Sequence, residues 1–184
     1  MSEKQLSDQI IRLLHQALKS YKVEQGRSLL YKIIIDQDGG ISPEVEKILK
    51  PRRGQGAFET DILVCRKRND IPLVVLELKY KGLNSHDIIT YSSKAVRHKE
   101  IYPYLRYGLI ASARDRIDRK FFTHNIGIDF VLVFRGRNNR NQLIGMVKKQ
   151  IKAAEGMRRI LDSKGVDWYE TDVKYKLAGV SPEN

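Results

Sequence analysis

Apolar and polar positions change period several times along the chain, and each change marks an element. Leu6, Ile10, Leu13, Ala17 and Tyr21 recur at helical spacing behind a capping-box pair, Ser2 and Gln5, so a helix with one face on a sheet is expected first. Residues 29–35 read as a first strand ended by the turn 36–40, and Ser42-Pro43-Glu44 as the start of a short helix to about residue 49. Residues 58–65 alternate, which sets Phe58, Thr60, Ile62 and Val64 on one face and Glu59, Asp61, Leu63 and Cys65 on the other. Residues 73–78 are nearly all apolar, the mark of a strand covered on both faces. Ser85 is then expected to cap a helix to about residue 102, with Ile88, Tyr91, Ala95 and Tyr102 inward and Lys94, Arg97, His98 and Lys99 on its polar side. Residues 107–111 and 128–134 read as two more buried strands separated by a short basic segment, residues 114–120. A helix over 142–163 follows, with Leu143, Val147, Ile151, Ala154 and Leu161 inward, and then an edge strand over 167–177 and a frayed end at 181–184. Strand, helix, strand implies a crossover with parallel pairing. The expected fold is α/β, a mixed central sheet flanked by helices whose first three strands are antiparallel. It forms one domain over 1–184, with a core at about 29–134 and the last helix and edge strand at about 142–177.

A chain of 184 residues, 41% of them apolar, suits one domain with a core of its own. Charge changes the picture more. The net charge is +12, and residues 91–160 hold sixteen Lys or Arg against five Asp or Glu, which accounts for +11 of it. An anionic polymer would therefore find its surface downstream of residue 90. The single cysteine, Cys65, allows no intramolecular disulfide and no cysteine zinc cluster, and on its strand it reads as a small buried hydrophobe. The four histidines lack ligand spacing. With no apolar run of membrane-span length and no signal-peptide core, a cytoplasmic protein without a membrane partner is expected. No Gly-rich phosphate loop is present, so no nucleotide cofactor is expected.

Residues 59–80 carry the chemistry. A hairpin turning around Asn69 pairs positions whose numbers sum to 138, which sets Asp61 across from Glu77. Such neighbours have Cβ atoms about 4.5–5.5 Å apart, and Lys79 follows on the same face roughly 6–7 Å further along. Burying these charges costs several kcal/mol each unless they are paired or hold a metal. An ion pair that fixes register is one outcome. The other is metal-assisted hydrolysis, in which Asp61 and Glu77 share Mg²⁺, with Mn²⁺ as a substitute, and Lys79 orients the attacking water.

Thr60-Asp61, a gap of fifteen residues, and then Glu77-Leu78-Lys79 resemble the PD-(D/E)xK signature of the restriction-endonuclease-like nucleases, with Thr60 in place of the proline. The resemblance implies a restriction-endonuclease-like core and a Mg²⁺-dependent DNA endonuclease in which Asp61 and Glu77 are metal ligands and Lys79 assists the water. It also implies a further acidic ligand on an early helix. Glu3, Glu24, Glu44 and Glu46 are available, and Glu46 stands nearest the motif in the chain. A polar residue on the helix after the motif, here Lys94, is implied to reach substrate. The biological use implied is restriction–modification defence by a homodimer. Arg52 and Arg53 before the motif, Lys94 and Arg97 after it, and the loop residues Arg135, Arg137 and Arg140 are the candidate DNA contacts. Other readings stay open: a junction resolvase or repair nuclease built on the same centre, a non-cleaving DNA-binding or recombination subunit, and an RNA substrate.

Overall fold

The computed structural model describes residues 2–42, 49–54, 56–112 and 115–176. The short helix expected after Ser42 and the frayed end at 181–184 lie outside them. Helix α1 (Glu3–Ala17) starts on the expected capping box, in which Ser2 Oγ accepts from the Gln5 N–H and Gln5 Oε1 accepts from the Ser2 N–H. Its buried stripe is Leu6, Ile10 and Leu14. Tyr21 is not part of that stripe, because the helix ends at Ala17 and Tyr21 opens strand β1 (Tyr21–Gln25). The first strand of the main sheet is therefore β1 rather than residues 29–35. Those residues divide between β2 (Ser28–Leu30) and β3 (Ile34–Ile35), which belong to two small two-stranded sheets, β2 with β5 (Ala57–Glu59) and β3 with β4 (Ile41–Ser42).

Residues 58–65 likewise divide, between β5 and β6 (Ile62–Arg66), and Phe58 and Ile62 end on opposite sides of the molecule. From β6 the chain continues through β7 (Pro72–Lys79), α2 (Ser85–Ile101), β8 (Arg106–Ala111), α3 (Arg119–His124), β9 (Phe130–Val133), a 3-10 turn at Gly136–Asn139 and α4 (Arg140–Leu161). The central sheet has the order β1-β6-β7-β8-β9, antiparallel from β1 to β7 and parallel from β7 to β9. This is the α/β mixed sheet that the sequence predicts, with its first three strands antiparallel. The β6–β7 register follows the expected sum through Ile62↔Leu76, Leu63↔Val75 and Val64↔Val74, then shifts at a bulge that pairs Cys65 with Pro72. Pro72 has no N–H to give to a regular ladder, so the irregularity falls where it does least harm.

Helices α1 and α4 cover one face of the sheet, burying Leu6, Ile10, Leu143, Val147 and Ile151 against Ile62, Val64 and Leu76. On the other face α2 and α3 bury Ile88, Ala95 and Phe121 against Leu63, Val75 and Leu109. Gly108 admits the Phe130 ring between layers, since a Cβ there would stand 2.2 Å from it. The basic segment after β8 runs into α3, a helix too short for a periodicity signal to reveal. Two inward or outward assignments are overturned. Leu161 is 52% exposed because α4 has by then run past the sheet, and His98, expected on the polar side of α2, is wholly buried. Residues 167–176 form no strand and stay exposed throughout, Trp168, Tyr169, Val173 and Tyr175 included, since alternation makes a strand only where an edge is available to pair. No described helix is long and apolar enough to cross a membrane.

Strand directions place the start of β6 and the ends of β7, β8 and β9 at one edge of the sheet, where α1 and α4 also begin. What each side chain contributes follows from its burial, and Leu76 is wholly buried while Leu161 is half exposed. Leu76→Ala is expected to lower unfolding free energy by about 2–5 kcal/mol, whereas Leu161→Ala should change it by no more than about 0.5 kcal/mol. Urea titration of both variants checks the contrast.

Candidate active site

The chain crosses from the small sheet into the main one at Thr60, where a change of direction has to be held. Thr60 is 1% exposed, and its N–H and Oγ–H both donate to the Arg27 carbonyl, at 3.0 and 2.8 Å. Asp61 therefore stands just ahead of β6, one step beyond the Ile62↔Leu76 pair and so level with Glu77. The β6 ladder has stopped there, and Asp61 Oδ2 takes over by accepting the Leu78 N–H at 2.7 Å. A side chain thus satisfies a backbone donor that the departing strand leaves open.

Glu77 is the most constrained charge at this edge. It is 1% exposed, and its Oε1 accepts from the Tyr107 hydroxyl at 2.6 Å and from the Lys94 ammonium at 3.3 Å. Burial pushes its pKa up to about 7 and nearby Asp61 adds to the rise, against the opposing pull of Lys94 and the Tyr107 hydrogen bond. The Tyr107 hydroxyl is held far above its usual range by burial first and then by Glu77, so it remains a hydrogen-bond donor. Tyr91 is raised as well, by burial and then by Glu77, Asp61 and Glu3.

Lys79 leaves the same strand two residues later and turns to α2, where its Nζ donates to Asp87 Oδ1 at 2.8 Å. Asp87 has a second role. Its other oxygen accepts the Asn84 N–H while Asn84 Oδ1 accepts the Asp87 N–H, so the α2 cap is Asn84 and not Ser85. Burial works to raise the Asp87 carboxyl, but the bonds from Lys79 and the Asn84 N–H outweigh it and hold the pKa low. Lys94, from the middle of α2, lies between Glu77 and the Glu59 carbonyl, with Phe58 and Tyr91 rings beside its ammonium at 5.7 and 5.8 Å. Behind it His98 sits between Phe58 and Tyr107, and burial followed by the Lys94 charge pushes its pKa down to about 4, so its ring is neutral at pH 7.

A cleft of about 160 Å³ opens beside Asp61, lined by Glu3, Gln25, Glu59, Thr60 and Leu78 among others. Of the four candidate acids for the early-helix ligand, Glu3 on α1 lines this cleft, whereas Glu24 lies on strand β1. Glu24 is held by Lys22 and Arg27, while Glu46, together with Glu44, lies outside the described residues. Among the described residues no group of three His, Cys, Asp or Glu is drawn together tightly enough to enclose a metal ion. Asp61 and Glu77 are hard oxygen donors, each with one oxygen bonded inside the protein and the other without a partner among the described residues. Such a pair fits Mg²⁺, which retains several of its waters. The remaining candidates are scattered over the surface. Arg52, Arg97, Arg137 and Arg140 are exposed, Arg53 pairs with Glu59 at 3.3 Å, and Arg135 donates to the Asp115 carbonyl. Arg135, Arg137 and Arg140 follow β9 at the same sheet edge as Asp61. Cys65 is wholly buried, and burial pushes its thiol up to about 12, which suits the reading as a hydrophobe.

Sequence reasoning passes over Tyr107 and Asp87. A tyrosine on a buried strand needs a partner for its hydroxyl, and Asn84-x-x-Asp87 has capping-box spacing; both signals are present but name no partner.

The Glu77 shift makes stability depend on pH. Its folded pKa, about 7, exceeds the free value of 4.5, so the folded protein holds an extra proton between those values. The corresponding stabilisation is full below about pH 4.5 and is lost as pH rises through 7. Glu77→Gln should remove this loss, and without metal the variant should gain on the order of 3 kcal/mol over the parent between pH 4.5 and 8. Urea unfolding in chelator across that range measures it. Comparison of the chain with protein-family models and with curated proteins finds no match, so a functional reading rests on this geometry and on the motif.

Proposed function

We propose that the protein is a Mg²⁺-dependent DNA endonuclease that hydrolyses phosphodiester bonds at the Asp61–Glu77 edge. One observation carries the reading: a wholly buried glutamate on the middle strand, level with an aspartate just ahead of the neighbouring strand, with Lys94 of α2 paired to that glutamate and Lys79 following it on β7. Asp61 and Glu77 would hold the metal, with Glu3 beside the cleft as the further acidic group. Mg²⁺, or Mn²⁺ in its place, supplies positive charge for the attacking water and the phosphate oxygens. The residues do the rest. Tyr107 fixes the Glu77 carboxylate, as outer partners of metal-bound carboxylates do. Lys79, anchored by Asp87 and 27% exposed, presents an ammonium that can orient the water and offset charge developing on the phosphate. Lys94 offsets the Glu77 charge at 3.3 Å, and its ammonium would lie within reach of a substrate phosphate beside that carboxylate. The cations of Arg135, Arg137 and Arg140 stand on the same edge for the flanking backbone. The motif favours restriction-type defence by a cytoplasmic homodimer over a junction-selective or repair enzyme.

A second reading has its own support. Lys79 and Lys94 are both engaged in internal ion pairs, as expected of a DNA-binding or recombination subunit that keeps the residues without cutting. Supercoiled plasmid incubated with Mg²⁺, Mn²⁺ or chelator separates the two. The proposal expects metal-dependent cutting that falls about 100-fold or more in Asp61→Asn and in Lys79→Ala, and about tenfold in Glu3→Gln. Discrete fragments would favour restriction, and cutting confined to branched DNA a shape-selective enzyme. Folded protein that binds DNA but never cuts linear, supercoiled or branched forms would sink the endonuclease and leave the binding subunit.

A further inference from the structure

At the far end of the molecule, where α1 stops and β1 begins, a cleft of about 620 Å³ opens between α1 and α4. A fifteen-residue helix, roughly 22 Å of α1, separates it from the cleft at Asp61. Its floor is apolar, formed by Leu18, Ile151 and the ring of Tyr21. Its rim is cationic. Lys148, Lys152 and Arg159 are spaced i, i+4 and i+11 along one flank of α4, and Lys19 stands on the α1 side. The one acid in the lining, Glu155, is already neutralised, since both its oxygens accept from Arg66, in a bidentate pair, and Arg158 adds a contact at 3.5 Å. Lys19, Lys148, Lys152 and Arg159 form no ion pair among the described residues.

Four uncompensated cations facing one concavity repel one another, and a bound anion would relieve them. The size falls in the range of small-ligand sites, and an apolar floor with an aromatic ring below a cationic rim suits a molecule that joins phosphates to a flat ring. We propose that this cleft binds a nucleotide, phosphates against Lys19, Lys148, Lys152 and Arg159 and ring against Tyr21 and Ile151. Recognition would run through side-chain cations instead of a Gly-rich loop, so the sequence carries no motif for it. The proposal stands apart from the nuclease reading.

Isothermal titration of the full chain with ATP, in chelator to silence the metal site, tests it. One-to-one binding is expected, at least tenfold tighter than inorganic tripolyphosphate, weakened tenfold or more in a Lys148→Glu/Lys152→Glu double variant and unchanged in Asp61→Asn. Both lysines are exposed, so the variant should keep the parent's thermal unfolding midpoint. Absence of saturable ATP binding overturns the proposal, as does tripolyphosphate binding equally well or a double variant that binds ATP normally. Loss of duplex-DNA binding in the double variant, with no ATP binding by the parent, would assign the cleft to the nucleic-acid surface instead.

Discussion

Removing the Glu77 carboxylate from water is the constraint around which the candidate site is built. An isolated buried carboxylate costs several kcal/mol, and the groups that surround it are drawn from three separate elements. Tyr107 comes from β8, Lys94 from α2, and Asp61, which worsens the problem, from just ahead of β6 on the other side. The compensation is incomplete, and the carboxyl remains poised to carry a proton near neutral pH. A structural ion pair optimised for stability would not place a second carboxylate beside the first. On the proposed reading, a divalent cation would complete the arrangement, because it would offset the negative charge that Glu77 and Asp61 hold side by side.

The second lysine ties this site to the helix that covers it. Asp87 closes the α2 capping box with one oxygen and holds Lys79 with the other. The position of Lys79 is thus set by where α2 starts. Lys94, two turns later on the same helix, reaches Glu77. A small rotation of α2 would move both cations at once relative to the carboxylates, so the helix acts as a single positioning element for the positive side of the site.

What the sequence makes legible is local and periodic. The hairpin register can be read because an apolar run and an alternating run flank one turn, and the sum of residue numbers then suffices to locate Asp61 against Glu77. Where one pattern continues into another, reading stops. Tyr21 extends the helical stripe of α1 by spacing alone, which hides β1, and residues 29–35 look like one strand although two small sheets share them. His98 looks polar by type and is buried by position, because α2 is covered by β2 and β5 on that side, a tertiary fact with no local signature. Glu3 stands with Glu24, Glu44 and Glu46 as an equal candidate in sequence, and only the return of β1 beneath α1 brings it to Asp61.

The cations of the molecule differ in whether an acid within the protein partners them. Those nearest the carboxylates, Lys79 and Lys94, are paired within the protein and contribute little long-range field, since each cancels an acid a few ångströms away. Cations without an ion pair among the described residues include Arg137 and Arg140 in the loop after β9, Lys4 at the Asp61 cleft, and the four around the cleft between α1 and α4. If the protein is the nuclease proposed above, most of the excess charge that would draw a polyanion is not the charge that would act on its phosphates. On the proposed reading, attraction and chemistry fall largely to different residues, so salt should weaken encounter with an anionic partner far more than it disturbs the ion pairs that order the site.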